Sequence, residues 1–374
     1  MSFRKTCPSL FIFIILFILI LAACNTSNYY SPVNTNPLDI TTSTLTPSLT
    51  PSITPSLTFT ATLTPTATQT PTPTPTLFPM AIEALRQTSY PGSEIMIEKT
   101  LEPGSNYHRY YAYYLSEGNK IYGLLTVPFN DPPNGGYPAI VFNHGYIPPG
   151  EYHTTERYIA YVDWLARSQY VVFKIDYRGH DRSEGVARGA YGDPGYTVDV
   201  LNAVSSLQNY PSVNPEKIGM WGHSMGGFLT LRAMVISKEI KAGVIWAGVV
   251  ASYPDMISKW WLNTPRPIPT APTFARRWQQ EWTTEYGSAI ENPDFWSSIS
   301  SNTYVNEISG PIQLHHGTAD ESVPLVFSEI LWHELLAANQ YVEFYTYEGD
   351  NHNLSLYFST AMTRTIEFFD RYLK

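Results

Sequence analysis

Cysteine is nearly absent from this sequence. Cys7 and Cys24 are the two cysteines in 374 residues, and both lie close to the amino terminus. A fold built from the rest of the chain therefore has no disulfide bond and no cysteine nucleophile. An exported protein of this kind must be stabilised by a large buried core instead.

Charged residues are also sparse, and the excess is negative. They make up 15% of the chain, with a formal net charge of −9 at pH 7. An acidic chain is a poor partner for nucleic acid, and no polybasic segment marks a membrane-binding patch. No histidine or cysteine spacing is typical of a zinc site. We therefore predict no nucleic-acid partner, no metal and no other cofactor.

The hydrophobic run near the amino terminus is short for a helix that spans a bilayer. Arg4 and Lys5 precede an apolar run over Leu10–Leu21, and roughly 12 residues compare with about 20 for a membrane-spanning helix. The run ends at Leu-Ala-Ala-Cys24, which resembles the bacterial lipobox, where the cysteine is acylated after cleavage. We predict a lipoprotein signal peptide over residues 1–23, with a lipid on Cys24. A plain signal peptide or an uncleaved anchor is the alternative.

The segment that follows has the composition of a spacer. Residues 24–79 contain a stretch from Thr41 to Thr76 rich in threonine, proline and serine, with no charge between Asp39 and Glu83. Such a segment buries too little apolar surface to offset its ordering entropy. We predict a disordered stalk, extended by proline, that holds a domain away from the outer face of a bacterial membrane. The alternative is a low-complexity segment that has no role as a spacer.

Residues 80–374 have the pattern of one α/β domain. A hairpin is predicted at Gly118-Asn119, and short β-branched or aromatic runs then alternate with helical stripes such as Val200, Val204 and Leu207. This alternation predicts a mostly parallel sheet with helices on both faces. The predicted strands are Ala139–Asn143, Tyr170–Asp176, Lys217–Trp221, Ala242–Ala247, Ile312–His315 and Val342–Tyr347.

One interval interrupts this alternation. The segment over about residues 250–310 is too long for an ordinary connection, and it is rich in tryptophan and proline. We predict a mostly helical lid insertion over the site. Surface decoration, with the tryptophans packed only against each other, is the alternative.

The sequence Gly222-His223-Ser224-Met225-Gly226-Gly227 follows a predicted buried strand and precedes a helical stretch. This is the context of a nucleophile elbow, in which the glycines avoid collisions in a strained strand-to-helix turn. Ser224 is the predicted nucleophile. The backbone N–H of Met225, at the start of the helix, is a predicted donor to an oxyanion.

A serine nucleophile needs a base that is oriented by an acid. Asp320 and His352 each follow a predicted strand, in the chain order expected for this architecture. Both would then lie at the same sheet edge as Ser224. Among the alternatives, Asp350 is expected to shape a turn, Glu321 to point elsewhere, and Asp255 to serve as the acid only if the lid begins differently.

The second oxyanion donor is predicted in Asn143-His144-Gly145-Tyr146, where Gly145 permits a turn and the N–H of Tyr146 points inward. A plain β-turn is the alternative. His315 and His316 are adjacent on a strand, so they should face opposite sides and share no metal. We expect His316 to be structural.

From about Tyr111 to Lys374 the chain resembles an α/β-hydrolase, most closely the catalytic domain of the prolyl oligopeptidase family and dienelactone hydrolase-like esterases. The matching segments are HGY, DYRGHDRSEG, VNPEKIGMWGHSMGG, HHGTADESVP and GDNH. The resemblance implies Ser224, Asp320 and His352 as the triad, with the amides of Tyr146 and Met225 as the oxyanion hole. Oligopeptidases of this family carry an amino-terminal propeller, and the short segment between the predicted stalk and Tyr111 is expected to hold none. The family's oxyanion-holding tyrosine would also fall near His144 rather than at Tyr146.

These departures favour an esterase over a peptidase or amidase that uses the same triad. A third hypothesis is a non-catalytic surface binding protein that uses the tryptophan-rich insertion. A small ester or peptide is the expected substrate. The predicted pocket residues are His144, Trp260, Trp261, Trp282 and Trp296.

Overall fold

The computed structural model describes residues 77–260 and 277–374, all within one unit over residues 72–374. The signal peptide, Cys24, most of the stalk and Trp261 lie outside the described residues, so the sequence analysis of those parts stays a prediction. Within the described ranges, every helix is too short or too polar to span a bilayer.

Nine strands of the described chain form one mixed sheet in the order β1-β2-β3-β5-β4-β6-β7-β8-β9. The first three strands and the β3–β5 pair are antiparallel, whereas β5, β4 and β6 to β9 run parallel. The mostly parallel sheet predicted from the sequence is confirmed. The strands are β1 Met96–Leu101, β2 Tyr107–Ser116, β3 Asn119–Pro128, β4 Tyr137–Asn143, β5 Val171–Ile175, β6 Val213–His223, β7 Ile240–Trp246, β8 Ile312–Gly317 and β9 Val342–Tyr347.

Helices cover both faces of this sheet. The helices are α1 Ile82–Arg86, α2 Ile159–Arg167, α3 Gly195–Gln208, α4 Met225–Ile236, α5 Tyr253–Lys259, α6 Arg277–Tyr286, α7 Pro293–Ile299, α8 Val326–Ala337 and α9 Phe358–Leu373. The core on one face includes apolar side chains of α2 and α9, and the core on the other includes those of α3, α4 and α8. Both faces of the sheet are therefore shielded from solvent.

The sequence of β4 shows why the parallel strands are continuous apolar runs. Ala139 and Val141 belong to one core, whereas Ile140 and Phe142 belong to the other, since successive side chains on a strand point to opposite faces. A strand buried on both faces needs apolar residues at every position.

Three local features differ from the sequence predictions. The hairpin turn is formed by Glu117 and Gly118, both with positive φ, and Asn119 already pairs with Ser116. Strand β1 was not predicted, because it is an exposed edge strand without an apolar face. Phe78, which the sequence had placed in the stalk, packs edge-on against Trp282 at 5.2 Å.

The described part of the predicted insertion is helical. It consists of α5, α6, α7 and a 3-10 helix over Ser301–Glu307. Asn292 caps α7 by accepting a hydrogen bond from the N–H of Phe295, and Pro293 occupies its first turn. Its role as a lid over the site remains a prediction.

Candidate active site

Ser224 lies in a strained turn between β6 and α4. Its backbone has φ 55° and ψ −117°, a region that residues with a side chain rarely adopt. A Cβ atom at Gly222 would collide with the carbonyl oxygen of Gly226, and one at Gly226 would collide with that of Asn143. The two glycines therefore allow the strand and the helix to approach closely, and the turn places the serine at the carboxyl edge of the sheet.

Backbone hydrogen bonds tie this turn to β7. The N–H of Ser224 donates to the carbonyl of Trp246 at 3.0 Å, and the Ser224 carbonyl accepts from Val249 at 3.1 Å. Met225 is the first residue of α4, so its N–H has no partner within the helix. This amide and the positive end of the helix dipole provide a place for an anion beside the serine.

A loop after β4 approaches the same turn. A Cβ atom at Gly145 would lie 3.2 Å from the Cβ of Ser224, so the loop passes directly over the serine. Tyr146 follows, and its side chain is exposed. The N–H of Gly145 donates to the Tyr158 hydroxyl at 2.9 Å, which fixes the loop.

The Tyr158 hydroxyl continues into a chain of hydrogen bonds that the sequence analysis did not predict. Burial, then the nearby charge of His352, lowers the pKa of His223 to about 3, so this imidazole is neutral. Its Nε2–H donates to the backbone carbonyl of His352 at 2.9 Å, which leaves Nδ1 to accept from Tyr158 at 2.7 Å. These hydrogen bonds connect the Gly145 loop to the His352 loop. No local signal in the sequence links these residues.

Asp320 and His352 meet at the carboxyl edge of the sheet, after β8 and β9. His352 Nδ1 lies 2.7 Å from Asp320 Oδ2. Asp320 Oδ1 accepts from the N–H groups of Ser322 and Val323 at 2.7 and 3.0 Å. Burial favours the neutral carboxyl, but hydrogen bonds from His316 and His352 outweigh it and hold the pKa of Asp320 below its ordinary value. The carboxylate is therefore ionised and holds the proton of His352 on Nδ1.

His316 contacts the same carboxylate. Its Nε2 lies 3.1 Å from Asp320 Oδ2, and its Nδ1 lies 2.8 Å from the Ser328 hydroxyl. His315 points to the opposite face, where its Nδ1 lies 2.7 Å from the Tyr347 hydroxyl, as their adjacency on a strand predicts. The contact between His316 and Asp320 was not predicted, although both fall within the HHGTADESVP segment.

The other acidic candidates have different contacts. Asp350 accepts hydrogen bonds from three backbone N–H groups, those of Asn351, Leu356 and Tyr357, so it shapes the turn as predicted. Asp255 forms an ion pair with Lys259 at 2.6 Å. Glu321 is exposed. The structure therefore brings Asp320, rather than these carboxylates, to His352.

Two cavities lie beside the nucleophile turn, one lined by Ser224 and the other by its neighbour Met225. The base-side cavity, of about 360 Å³, is lined by Gly145, Tyr146, Arg157, Tyr158, Ser224 and His352, among others. The amide-side cavity, of about 400 Å³, is lined by Tyr146, Arg188, Tyr191, Asp193, Met225 and Trp278, among others. Tyr146 lines both, so it lies at their border.

Several predicted pocket residues lie elsewhere. His144 is fully buried, with its ring stacked on Tyr152 at 4.3 Å, so it supports the loop rather than lining a cavity. Trp282 and Trp296 belong to the hydrophobic core. Trp260 packs edge-on against Phe327 at 5.8 Å. Trp278, which the sequence analysis did not assign to the pocket, belongs to the same core and also lines the amide-side cavity. Spacing alone does not distinguish a tryptophan in the core from one at a cavity.

Among the described residues, no group of three or more histidine, cysteine or acidic side chains is arranged to hold a metal ion. The chemistry that these residues offer is a hydroxyl in a strained turn, a histidine oriented by a carboxylate, and backbone amides beside a helix amino terminus. This combination suits nucleophilic attack on a carbonyl group.

Comparisons with known proteins identify relatives. The family model described as "Prolyl oligopeptidase family" matches residues 157–374. The Bacillus subtilis (strain 168) protein named "Uncharacterized peptidase YtmA" is 26% identical over 270 residues, which cover 69% of this chain and 92% of that protein.

Two solved structures share the fold. The acetyl xylan esterase from Paenibacillus sp. R4 has a TM-score of 0.58 and 18% identity, over 78% of this chain and 92% of that chain. The Porphyromonas gingivalis dipeptidyl peptidase 4 has a TM-score of 0.55 and 20% identity, over 72% of this chain but 36% of that chain. At these identities the likeness establishes the fold alone, which is the predicted α/β-hydrolase fold.

Proposed function

The chain belongs to the prolyl oligopeptidase family and is a serine hydrolase, and from this premise we propose that it cleaves carboxylic esters, with Ser224 as nucleophile, His352 as base and Asp320 as acid. The observation that carries the proposal is the 2.7 Å contact between His352 Nδ1 and Asp320, with His352 and the strained Ser224 lining one cavity.

In the first step the Ser224 hydroxyl attacks the carbonyl carbon of the ester. His352 Nε2 accepts the hydroxyl proton, because the proton on Nδ1 is held by Asp320. The tetrahedral oxyanion accepts hydrogen bonds from the N–H groups of Met225 and Tyr146, and the dipole of α4 adds to their stabilisation.

In the second step the carbon–oxygen bond to the alcohol breaks. The proton on His352 Nε2 passes to the departing oxygen, and the acyl group stays on Ser224. A water molecule then gives a proton to His352 and attacks the acyl-enzyme. Return of that proton to Ser224 releases the carboxylic acid and restores the starting state.

A peptidase or amidase with the same residues is the second candidate. Its support is the family itself and the Bacillus relative that is named a peptidase. A peptidase that binds a free amino terminus needs a carboxylate near the acyl group. Of the carboxylates that line the amide-side cavity, Asp193 accepts from the N–H of Gly195 at 2.8 Å, and Glu281 lies 3.9 Å from Arg277. Each carboxylate keeps free acceptor sites besides this contact, so the amide remains the alternative that the substrate panel has to exclude.

A substrate panel tests this choice. We expect faster turnover of short acyl 4-nitrophenyl esters than of aminoacyl or prolyl 4-nitroanilides. Faster turnover of the anilides would establish the peptidase instead. A fluorophosphonate should label the wild type and leave Ser224→Ala unlabelled. A folded wild type that resists labelling would favour the non-catalytic binding protein.

We further propose that the enzyme is exported and anchored to the outer face of a bacterial membrane through a lipid on Cys24. The support is the order of basic, apolar and small residues before Cys24 and the Thr/Pro/Ser-rich segment after it. In cells fed an alkyne fatty acid, the full-length chain should carry the label and fractionate with membranes, whereas Cys24→Ser should do neither. A labelled Cys24→Ser chain would refute lipidation at this residue.

A further inference from the structure

The two cavities, which share Tyr146 and flank the nucleophile turn, can be assigned to the two parts of an ester, if the proposed function holds. His352 must give a proton to the departing oxygen, so the alcohol part has to lie on the side of His352. The base-side cavity contains His352 and Ser224, the amide-side cavity contains Met225, and Tyr146 lines both. The alcohol part therefore occupies the base-side cavity, and the acyl part occupies the amide-side cavity.

The base-side cavity has a distinct charge. Its lining in the described structure contains Arg157 and no carboxylate. Several other polar groups in it are already engaged. The Tyr158 hydroxyl bonds Gly145 and His223, and the Tyr161 hydroxyl donates to the carbonyl of Asn353 at 3.1 Å. The cavity thus offers an arginine beside two tyrosine hydroxyls that already have hydrogen-bond partners.

Arg157 has no ion-pair partner in the described part of the chain. Two other exposed arginines do, since Arg167 Nη1 lies 3.5 Å from Asp163 and Arg182 pairs with Glu98, whereas Arg188 of the amide-side cavity has no ion pair among the described residues either. An unpaired guanidinium keeps its planar set of donors available to a ligand.

The backbone at Arg157 is held in place by its neighbour. Tyr158 has φ 59° and precedes α2, and its hydroxyl is bound at both the Gly145 loop and His223. The side chain of Arg157 is exposed, but it extends from a segment fixed to the nucleophile side of the site. A ligand charge in this cavity would meet the guanidinium without a large rearrangement of the backbone.

We propose that Arg157 binds a carboxylate on the alcohol part of the substrate, so that the preferred substrates are esters of hydroxy acids. A guanidinium matches a carboxylate with two parallel hydrogen bonds. The charge of the whole chain, −9, repels anions, so an unpaired arginine at this position compensates locally for that repulsion. This inference rests on the proposed ester hydrolysis and names its substrate class.

The test compares two butyrate esters that differ by one carboxylate, those of 4-nitrophenol and of 5-hydroxy-2-nitrobenzoic acid. Arg157→Gln should lower kcat/KM for the carboxylated ester about 10-fold, as expected for loss of a charge-assisted hydrogen bond. The same variant should change the neutral ester less than about twofold. Arg157→Lys should recover part of the loss, and added salt should reduce the wild-type preference.

Arg167→Gln is the matched control, because Arg167 is also exposed and lies at the end of α2, outside both cavities. It should leave the ratio of the two esters unchanged. Equal effects of Arg157→Gln on both esters, or no effect on either, would overturn the role of Arg157 while leaving the esterase intact. A wild type that cleaves neither ester, while cleaving anilides, would overturn the proposed function and this inference with it.

Discussion

Ser224 is positioned mainly by backbone contacts, whereas Asp320 and His352 are positioned by side-chain hydrogen bonds. The elbow depends on glycines, because a Cβ atom would collide there, and on backbone hydrogen bonds to the end of β7 and the residues after it. The acid–base pair depends on the Asp320 carboxylate, which contacts His316, His352 and two backbone N–H groups. Substitution of the Ser224 side chain should therefore leave the elbow in place, whereas substitution of the Asp320 side chain should release His352 from its orientation.

The largest expected effect comes from the elbow. Ser224→Ala and Ser224→Gly should each lower kcat for the ester about 10⁶-fold, because the nucleophile is lost. Their stabilities should differ, since glycine adopts the positive φ of this turn without strain. We expect Ser224→Gly to unfold with a free energy about 1 kcal/mol higher than that of Ser224→Ala. Urea unfolding measures this, and equal midpoints with equal slopes would argue against strain at Ser224.

The next effect comes from the acid. Asp320→Asn should lower kcat about 10⁴-fold, because an amide no longer holds the His352 proton on Nδ1. The loss should appear in steady-state ester hydrolysis, with an unchanged circular dichroism spectrum as the control for folding. Activity within tenfold of the wild type would exclude Asp320 as the acid.

The same substitution should also change how the free energy of unfolding depends on pH. The pKa of Asp320 is lowered in the folded state relative to about 3.9 in the unfolded chain. The carboxylate therefore stabilises the fold above this unfolded value, and the contribution is lost as the pH falls towards the folded pKa. The stability difference between the wild type and Asp320→Asn should shrink on acidification below about pH 4. A difference that is constant with pH would contradict this linkage.

A smaller effect is expected at His316, which acts through Asp320. His316→Leu removes a donor from the carboxylate and should lower kcat about 10-fold. His316→Gln keeps an N–H group and should recover part of the loss, with KM unchanged in both variants. If leucine and glutamine give the same kcat, then His316 only fills space.

The smallest effect is expected at Tyr158, whose hydroxyl links the Gly145 loop to His223 beside the nucleophile. Tyr158→Phe leaves the Gly145 N–H and His223 Nδ1 without their partner, at a cost of about 1–3 kcal/mol in the free energy of unfolding. We expect a loss in kcat of about fivefold as the loops loosen. Tyr170→Phe is the control, because its hydroxyl donates to Asp370 at 2.6 Å, away from the site, and it should leave kcat unchanged. Equal kcat losses would contradict a linking role.

The sequence predicted the parallel strands and the positions of Ser224, Asp320 and His352 after them, because these depend on local patterns. Buried strands need continuous apolar residues, and a tight elbow needs glycines on both sides. The edge strand β1 was missed, since an exposed strand carries no hydrophobic pattern. Membership of the prolyl oligopeptidase family is confirmed by the comparisons, whereas ester preference and lipidation of Cys24 remain proposals.

The tertiary structure decided which side chains share a cavity. His144, Trp282 and Trp296 satisfy the same local patterns as cavity residues, yet they pack into the interior. Tyr158 reaches His223 across 65 positions of sequence, and Arg157 is left without an ion pair beside them. Sequence periodicity specifies which face a residue occupies along its own strand or helix. The neighbour that it meets there depends on how distant segments pack, and local patterns carry no record of that packing.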